Sequence, residues 1–297
     1  DDLMENKNFY SKVLLFGEYG IISNSNALSI PFKELYGFLK KSTILNQEQK
    51  DSNDKLIELY HFISDNNIIN NVIDIQSLKN DLELGLHFES SIPVASGVGS
   101  SGALVASIFH RYLRTDIKDL SLEEIKHLLS IIESKFHGQS SGLDPLVSFY
   151  NKSIFLSNKK IKLIDDIDYR NCKIYIIDSK INASTKEMIQ IFNNKMKDKN
   201  FSNFFNTVFI NKTNVCIDNL LNNSSSFQNS IKELSEITFK NFQEMIPSQI
   251  KEKWEYGLKT NSYFMKLCGS GGGGFFTVFD FESQVSSGFI DFKSFQI

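Results

Sequence analysis

The pattern of apolar and polar positions divides the first half of the chain into strands and helices. Residues 12–16 form a short apolar run that stops at Gly17 and resumes at 20–22, which predicts a buried strand and a hairpin. Residues 56–63 have helical spacing, whereas residues 82–88 alternate apolar with polar or small positions, as a half-buried strand does. Apolar positions then recur at helical spacing from 101 to about 114 and from 121 to 136. The pattern therefore predicts a strand followed by two helices.

The second half alternates short strands with a long helical region. A polar loop at 139–145 precedes an apolar run to Tyr150 that predicts a strand, and residues 151–166 indicate a surface hairpin. A buried strand is expected at 173–177, followed by a helical region at 195–260 that a loop at 222–227 interrupts. The end of the chain predicts a strand at 264–268, a glycine turn at 269–274 and a strand at 275–279. We expect a second domain from residue 165, which gives domains of 1–164 and 165–297.

Composition narrows the class of protein without indicating a chemistry. In 297 residues, 41% are hydrophobic and 23% are charged, which is typical of a soluble globular protein long enough to bury a large core. The net charge of −3 argues against a nucleic-acid partner. Cys172, Cys216 and Cys268 are too widely spaced to indicate a zinc site or a disulfide framework. The polar, acidic start and the absence of a run of about 18 apolar residues predict a cytoplasmic protein with no membrane partner.

The segment PVASGVGSSGA at 93–103 is the most informative stretch, because it places three glycines and three serines between a predicted strand and a predicted helix. Glycine allows a backbone to approach an anion closely, and the first turn of a helix offers N–H groups and a favourable dipole. The sequence therefore indicates a phosphate-binding loop, with a glycine-rich turn that merely caps a core helix as the alternative.

Two better-known glycine motifs do not fit this loop. Residues 97–102 match G-x-G-x-x-G, but a dinucleotide-binding fingerprint belongs to a strand, helix and strand unit, and here two helices follow the strand. A P-loop requires a Gly-Lys-Ser/Thr tripeptide, which the chain lacks. The loop therefore matches neither motif, and both a phosphate site of another kind and a turn that caps a core helix stay open.

Three segments in order resemble the motifs of the GHMP small-molecule kinases, the family named for galactokinase, homoserine kinase, mevalonate kinase and phosphomevalonate kinase. They are KVLLFGEYGII at 12–22, PVASGVGSSGA at 93–103 and KLCGSGGGGF at 266–275. Two more, ESKFHGQSSGLDPLVS at 133–148 and DSKINASTK at 178–186, are similar to segments of the mevalonate-phosphorylating members. Tyr19, where those members often have His, and Ser96, Pro145 and Ser270 depart from the usual pattern.

The resemblance implies a two-domain α+β GHMP kinase fold. Its N-terminal domain would be ribosomal protein S5 domain 2-like with a left-handed crossover, and its C-terminal domain ferredoxin-like. The implied activity is ATP-dependent phosphorylation of the primary hydroxyl of mevalonate, with ATP and Mg²⁺ as cofactors, and a homodimer is compatible with it. Phosphomevalonate or another small acceptor is the in-class alternative. A catalytically silent metabolite-binding regulator on the same fold is the alternative of a different class.

Phosphoryl transfer requires charge neutralisation, an aligned hydroxyl and a proton acceptor, and the chain offers a candidate for each. Backbone amides of residues 97–102 can hold phosphates, and Ser101 with Glu133 can supply hard oxygen ligands for Mg²⁺. By resemblance, Asp144 is the general base and Lys12 orients the acceptor hydroxyl. The resemblance extends nucleotide binding to Pro93, Ser96, Gly97, Val98, Gly99, Ser100, Ser101 and Gly102. It extends substrate binding to Lys12, Glu18, Tyr19, Asp144, Ser184, Thr185, Gly271 and Gly272.

Overall fold

The structure is a computed structural model that describes residues 7–20, 25–93, 98–138, 140–169 and 172–297. The chain forms two compact units. The first contains the chain up to Lys12 together with Pro31–Lys152, and the second contains Val13–Ile30 and Ser153–Ile297. A domain boundary at 164/165 stays a prediction.

Strands and helices alternate irregularly along the described chain. The strands are β1 (Phe9–Phe16), β2 (Ala27–Lys41), β3 (Leu86–Ser90), β4 (Ser153–Ser157), β5 (Lys160–Ile164), β6 (Lys173–Asp178), β7 (Tyr263–Leu267), β8 (Phe275–Asp280) and β9 (Lys293–Gln296). The helices are α1 (Gln47–Asp65), α2 (Ile75–Glu83), α3 (Ser100–Tyr112), α4 (Leu122–His137), α5 (Leu143–Tyr150), α6 (Thr185–Lys195), α7 (Lys199–Phe204), α8 (Ile210–Leu221), α9 (Phe227–Asn241), α10 (Ser248–Thr260) and α11 (Val285–Gly288).

In the first unit, helices pack together beside the end of a β-ribbon. Residues 37–41 of β2 pair antiparallel with β3. Helix α3 carries Val105, Ala106 and Phe109 fully buried, and the Phe109 ring lies edge-on to Phe149 of α5 with centroids 5.5 Å apart. The Asn53 amide of α1 donates to the Leu86 carbonyl at 2.6 Å, so this buried polar group has a partner. These contacts hold α3 against α5 and α1 against β3.

The second unit contains an antiparallel sheet in the order β7, β8, β6, β9. Every residue of β7 and β8 is buried. In the same unit β4 and β5 form a hairpin, and residues 27–29 of β2 pair with β4. Helices α9 and α10 are joined by a hydrogen bond of 2.8 Å from Trp254 Nε1 to Ser235 Oγ, and both residues are fully buried.

Most predicted elements are present, and two are corrected. The run ending at Tyr150 forms helix α5 rather than a strand: Gly142 precedes it with φ +73°, and Pro145 lies in the first turn, where its missing N–H is harmless. The run is buried almost all round, so its periodicity cannot separate helix from strand. Residues 82–84 end α2 and its C-terminal turn, and β3 starts only after Gly85, whose φ is +79°. Ile21 and Ile22 lie outside the described residues.

Within the described ranges, no helix has both the length and the apolar character needed to cross a membrane.

Candidate functional site

The first unit brings Lys12 and Asp144 into direct contact. Lys12 Nζ lies 3.0 Å from Asp144 Oδ2, and the side chains are 10% and 36% exposed. The Lys12 N–H donates to the Val98 carbonyl at 2.9 Å, which joins β1 to the segment before α3. A paired, nearly buried ammonium thus faces a carboxylate that solvent can still reach.

Two glycines allow the start of α3 to lie against this ion pair. Gly99 precedes the helix with φ +82°, and a Cβ there would lie 2.9 Å from Lys12 Cγ. A Cβ on Gly102 would lie 3.0 Å from the Asp144 carbonyl carbon and from the Pro145 nitrogen. Larger residues at these positions would separate the helix terminus from the ion pair. The N-terminal end of α3, where anions are stabilised, therefore lies beside Lys12 and Asp144.

The nucleotide-binding prediction is only partly described by the structure. Val98 is buried, Pro93 is exposed, and Ser100, Ser101 and Gly102 form the first turn of α3. Ser96 and Gly97 lie outside the described residues. The predicted phosphate loop is thus represented by its helical end.

Glu133 and Ser101 form the oxygen pair that was predicted for a metal. Ser101 Oγ donates to Glu133 Oε1 at 3.3 Å, and Ser140 Oγ donates to the other carboxylate oxygen. Glu133 is 4% exposed, and its burial, followed by the negative charge of Asp144, raises its pKa to about 7. A cation bound here would relieve both effects, and a hydroxyl with a carboxylate suits the hard ion Mg²⁺. Ser140 was not singled out from the sequence, because a serine in a polar loop carries no signal of its own.

The second unit contains the turn with Glu18 and Tyr19. The Glu18 carboxylate accepts from the Lys266 ammonium, and both residues are buried. Tyr19 Oη donates to the Ser270 carbonyl at 2.6 Å, and its ring stacks on Phe192 with centroids 4.4 Å apart. The role of Lys266 was missed, because no local pattern shows that a lysine in a strand has a buried carboxylate partner far away in the sequence.

The other predicted substrate residues also lie in the second unit. Ser184 caps α6 by accepting from the Glu187 N–H, and Thr185 is the first residue of that helix. Thr185 Oγ1 accepts from Ser270 Oγ at 3.5 Å. Gly271 and Gly272 have φ values of +73° and +81°, which glycine alone adopts at little cost. The structure therefore places Tyr19, Thr185 and residues 269–274, the glycine segment, in the second unit. It places Lys12, Glu133 and Asp144 in the first unit.

Comparison with known proteins finds matches to the same family. Residues 67–152 match the GHMP kinases N terminal domain. The mevalonate kinase of Methanocaldococcus jannaschii is 24% identical over 217 residues, which cover 67% of this chain and 69% of that protein. Alignments with the curated relatives cover 53% to 69% of their lengths.

The fold is similar to that of solved kinases over nearly the entire chain. The structure of the Methanococcus jannaschii mevalonate kinase gives a TM-score of 0.67 at 18% identity, covering 99% of this chain and 98% of that one. The Streptococcus pneumoniae phosphomevalonate kinase, in complex with phosphomevalonate and AMPPNP, gives 0.65 at 13% identity, covering 99% and 100%. The predicted α+β fold is confirmed. Residues 67–152 are therefore similar to the N-terminal domain of the GHMP kinases, and the relatives that match are ATP-dependent phosphotransferases that act on an alcohol group.

Proposed function

We propose that this chain transfers the γ-phosphoryl group of ATP to the primary hydroxyl of mevalonate. The observation that carries the proposal is the 3.0 Å ion pair between Lys12 and Asp144 beside the N terminus of α3. A base, a cation and an anion-binding helix end are the parts that phosphoryl transfer requires.

Asp144 acts as the general base in this proposal. The acceptor hydroxyl gives its proton to the Asp144 carboxylate while its oxygen forms a bond to the γ-phosphorus, and the bond to ADP breaks. Lys12 stabilises the negative charge that develops on the acceptor oxygen and holds the Asp144 carboxylate in place. The exposed fraction of the Asp144 side chain, 36%, leaves room for a hydroxyl to approach.

Ser101 and Glu133 would hold Mg²⁺, and the arrangement of their oxygen atoms supports this assignment. When bound, Mg²⁺ would neutralise charge on the phosphates. The first turn of α3, residues 100–102, would bind phosphate oxygens through backbone N–H groups. Ser140 positions the Glu133 carboxylate through the hydrogen bond that it donates.

Mevalonate is proposed as the acceptor because the four curated relatives are named mevalonate kinase. Tyr19 is the residue that departs most from the mevalonate-phosphorylating members, which often have His at that position. Phosphomevalonate is therefore the second candidate, supported by the fold similarity to a kinase solved with that compound.

A coupled assay of ADP release tests the proposal with mevalonate, phosphomevalonate, homoserine and galactose as acceptors. We expect the highest kcat/KM with mevalonate, and none of that activity in the Asp144→Ala variant. A preference for phosphomevalonate would correct the acceptor alone. Nucleotide binding without turnover of any acceptor would instead favour a regulator on the kinase fold.

A further inference from the structure

The turn at residues 17–20 has a backbone that its surroundings determine closely. A Cβ on Gly17 would lie 2.6 Å from Ala27 Cβ, so glycine is required there. The Gly20 N–H donates to the Gly17 carbonyl at 3.1 Å, and the Ser25 N–H donates to the Gly20 carbonyl at 2.9 Å. Tyr19 has φ +58°, a left-handed conformation that a bulky residue keeps only when its environment enforces it. The strained backbone of Tyr19 therefore indicates that its side chain has a specific role.

That side chain is fully engaged inside the second unit. Its ring is parallel to Phe192 within 22°, with Phe242 a further neighbour at 6.2 Å, and its hydroxyl donates to the Ser270 carbonyl. Burial, followed by the neighbouring Glu18 carboxylate, raises the pKa of Tyr19 well above its usual range. The hydroxyl thus remains a donor at neutral pH.

The adjacent residue, Glu18, contacts the same region of the chain through a second bond. Its carboxylate accepts from the Lys266 ammonium, which also donates to the Leu267 carbonyl at 2.8 Å. Lys266 is 3% exposed and little water reaches its ammonium group, so the Glu18 carboxylate balances its charge. Glu18 therefore holds the end of β7, four residues before the carbonyl that Tyr19 holds.

The glycine segment depends on contacts with its neighbours to hold one backbone conformation. Gly269, Gly271, Gly272 and Gly274 all have positive φ, and glycine has more conformational freedom than any other residue. Backbone bonds anchor its second half: the Gly272 N–H donates to the Met245 carbonyl at 2.6 Å, the Gly274 N–H donates to the Ile181 carbonyl at 2.7 Å, and the Gly274 carbonyl accepts from the Ser179 N–H at 2.9 Å. The Tyr19 bond adds an anchor at the Ser270–Gly271 peptide. Because a trans peptide is planar, fixing the Ser270 carbonyl also sets the direction of the Gly271 N–H.

We infer that Glu18 and Tyr19 are positioning residues that clamp the glycine segment, and that the Tyr19 hydroxyl makes no hydrogen bond to the acceptor. This inference rests on the proposed function, because the direction of the Gly271 N–H affects the reaction only if the glycine segment contacts a reactant. Position 19 then sets the geometry of the glycine segment, while acceptor recognition falls to other side chains.

Hydrogen exchange and kinetics of Tyr19→Phe test the clamp, with Tyr256→Phe as the matched control because Tyr256 is 56% exposed. In Tyr19→Phe we expect faster amide exchange in residues 268–275. We also expect kcat to fall about three- to tenfold, by the same factor for every acceptor that the enzyme uses, with acceptor KM changed less than twofold. Tyr256→Phe should change none of these quantities.

The opposite pattern would overturn the inference. Unchanged exchange in 268–275 together with a raised acceptor KM would make Tyr19 an acceptor ligand. The exchange measurement needs no acceptor, so it decides the clamp even if every acceptor fails and the proposed function is wrong.

The Glu18–Lys266 pair gives a second and independent test. Glu18→Gln and Lys266→Met should each lower kcat more than tenfold, and the double variant should be no worse than either single one, because the charges act as a unit. Multiplicative losses in the double variant would contradict a shared clamp.

Discussion

Lys12 in β1 and Asp144 in the first turn of α5 form an ion pair, although the sequence places them at opposite ends of the first unit. Replacing Asp144 with Asn keeps the shape of the side chain and removes its ability to accept a proton. We expect kcat to fall by about 10² to 10⁴, the range of general base catalysis, with ATP affinity nearly intact. Steady-state kinetics and a nucleotide-binding titration measure the two effects. Nearly normal turnover would show that another group takes the proton.

Gly99 allows the start of α3 to approach Lys12, and this contact can be tested with a matched pair of variants. Gly99→Ala introduces a side chain in the left-handed region, at a cost of about 1 kcal/mol, and Gly138→Ala introduces one at φ 72° and ψ −43°, where the backbone strain is at least as large. Only the Gly99 methyl would meet another atom, Lys12 Cγ at 2.9 Å, whereas Gly138 has open space within 4 Å. We therefore expect kcat/KM for ATP to fall about tenfold or more in Gly99→Ala and less than twofold in Gly138→Ala. Equal losses would mean that backbone strain, and not the approach to Lys12, explains the glycine.

The raised pKa of Glu133 predicts an unusual dependence of stability on pH. Its carboxyl titrates near 7 in the folded protein and near 4.5 when unperturbed, so the folded state binds the proton more tightly. The free energy of unfolding should therefore fall as pH rises between these values, by on the order of 3 kcal/mol without metal. Denaturation in EDTA at pH 5, 6, 7 and 8 measures this slope.

Glu133→Gln is the control for that titration, because the amide stays neutral at every pH. Its unfolding free energy should lack the decrease between pH 5 and 7. In the wild-type protein, Mg²⁺ should bind more tightly as pH rises through 7, since the proton and the metal compete for one carboxylate. An identical pH dependence in both proteins would assign the slope to another group.

The glycine segment before β8 offers a test of stability that does not involve catalysis. A Cβ on Gly273 would lie 2.4 Å from the Ile181 carbonyl oxygen, a backbone atom that also accepts from the Gly274 N–H. Gly269 has φ +75°, but a methyl group added there would meet no atom within 4 Å. Gly273→Ala should therefore lower the melting temperature by several degrees more than Gly269→Ala does. The reverse order would show that conformational freedom, rather than close packing, selects these glycines.

The spacing of apolar positions predicted the helices and strands in which that spacing follows a clear helical or strand period. Helix α4 was expected from its apolar spacing and from Ser121 with Glu124, and the structure shows that capping box. Helix α5 was expected as a strand, because eight residues buried almost all round have no informative period. Its start depends on Gly142 in a left-handed conformation, which sequence alone does not reveal.

The site was predictable where a motif carries chemistry and not where a partner comes from elsewhere in the chain. Lys12, Ser101, Glu133 and Asp144 each lie in a segment with family resemblance, and the structure brings them together in one unit. Lys266 and Ser140 were not singled out, although each supports a predicted residue through a hydrogen bond. Their importance arises from burial and proximity, which depend on the tertiary fold.

Trp254 is the only tryptophan in the chain, and it lies in α10 of the second unit, buried against α9. Its fluorescence consequently reports the integrity of that unit alone, whereas circular dichroism records helices of both. If the two units lose structure at different urea concentrations, the two optical signals will give separate midpoints. One indole thus makes the cooperativity of the molecule measurable without any introduced label.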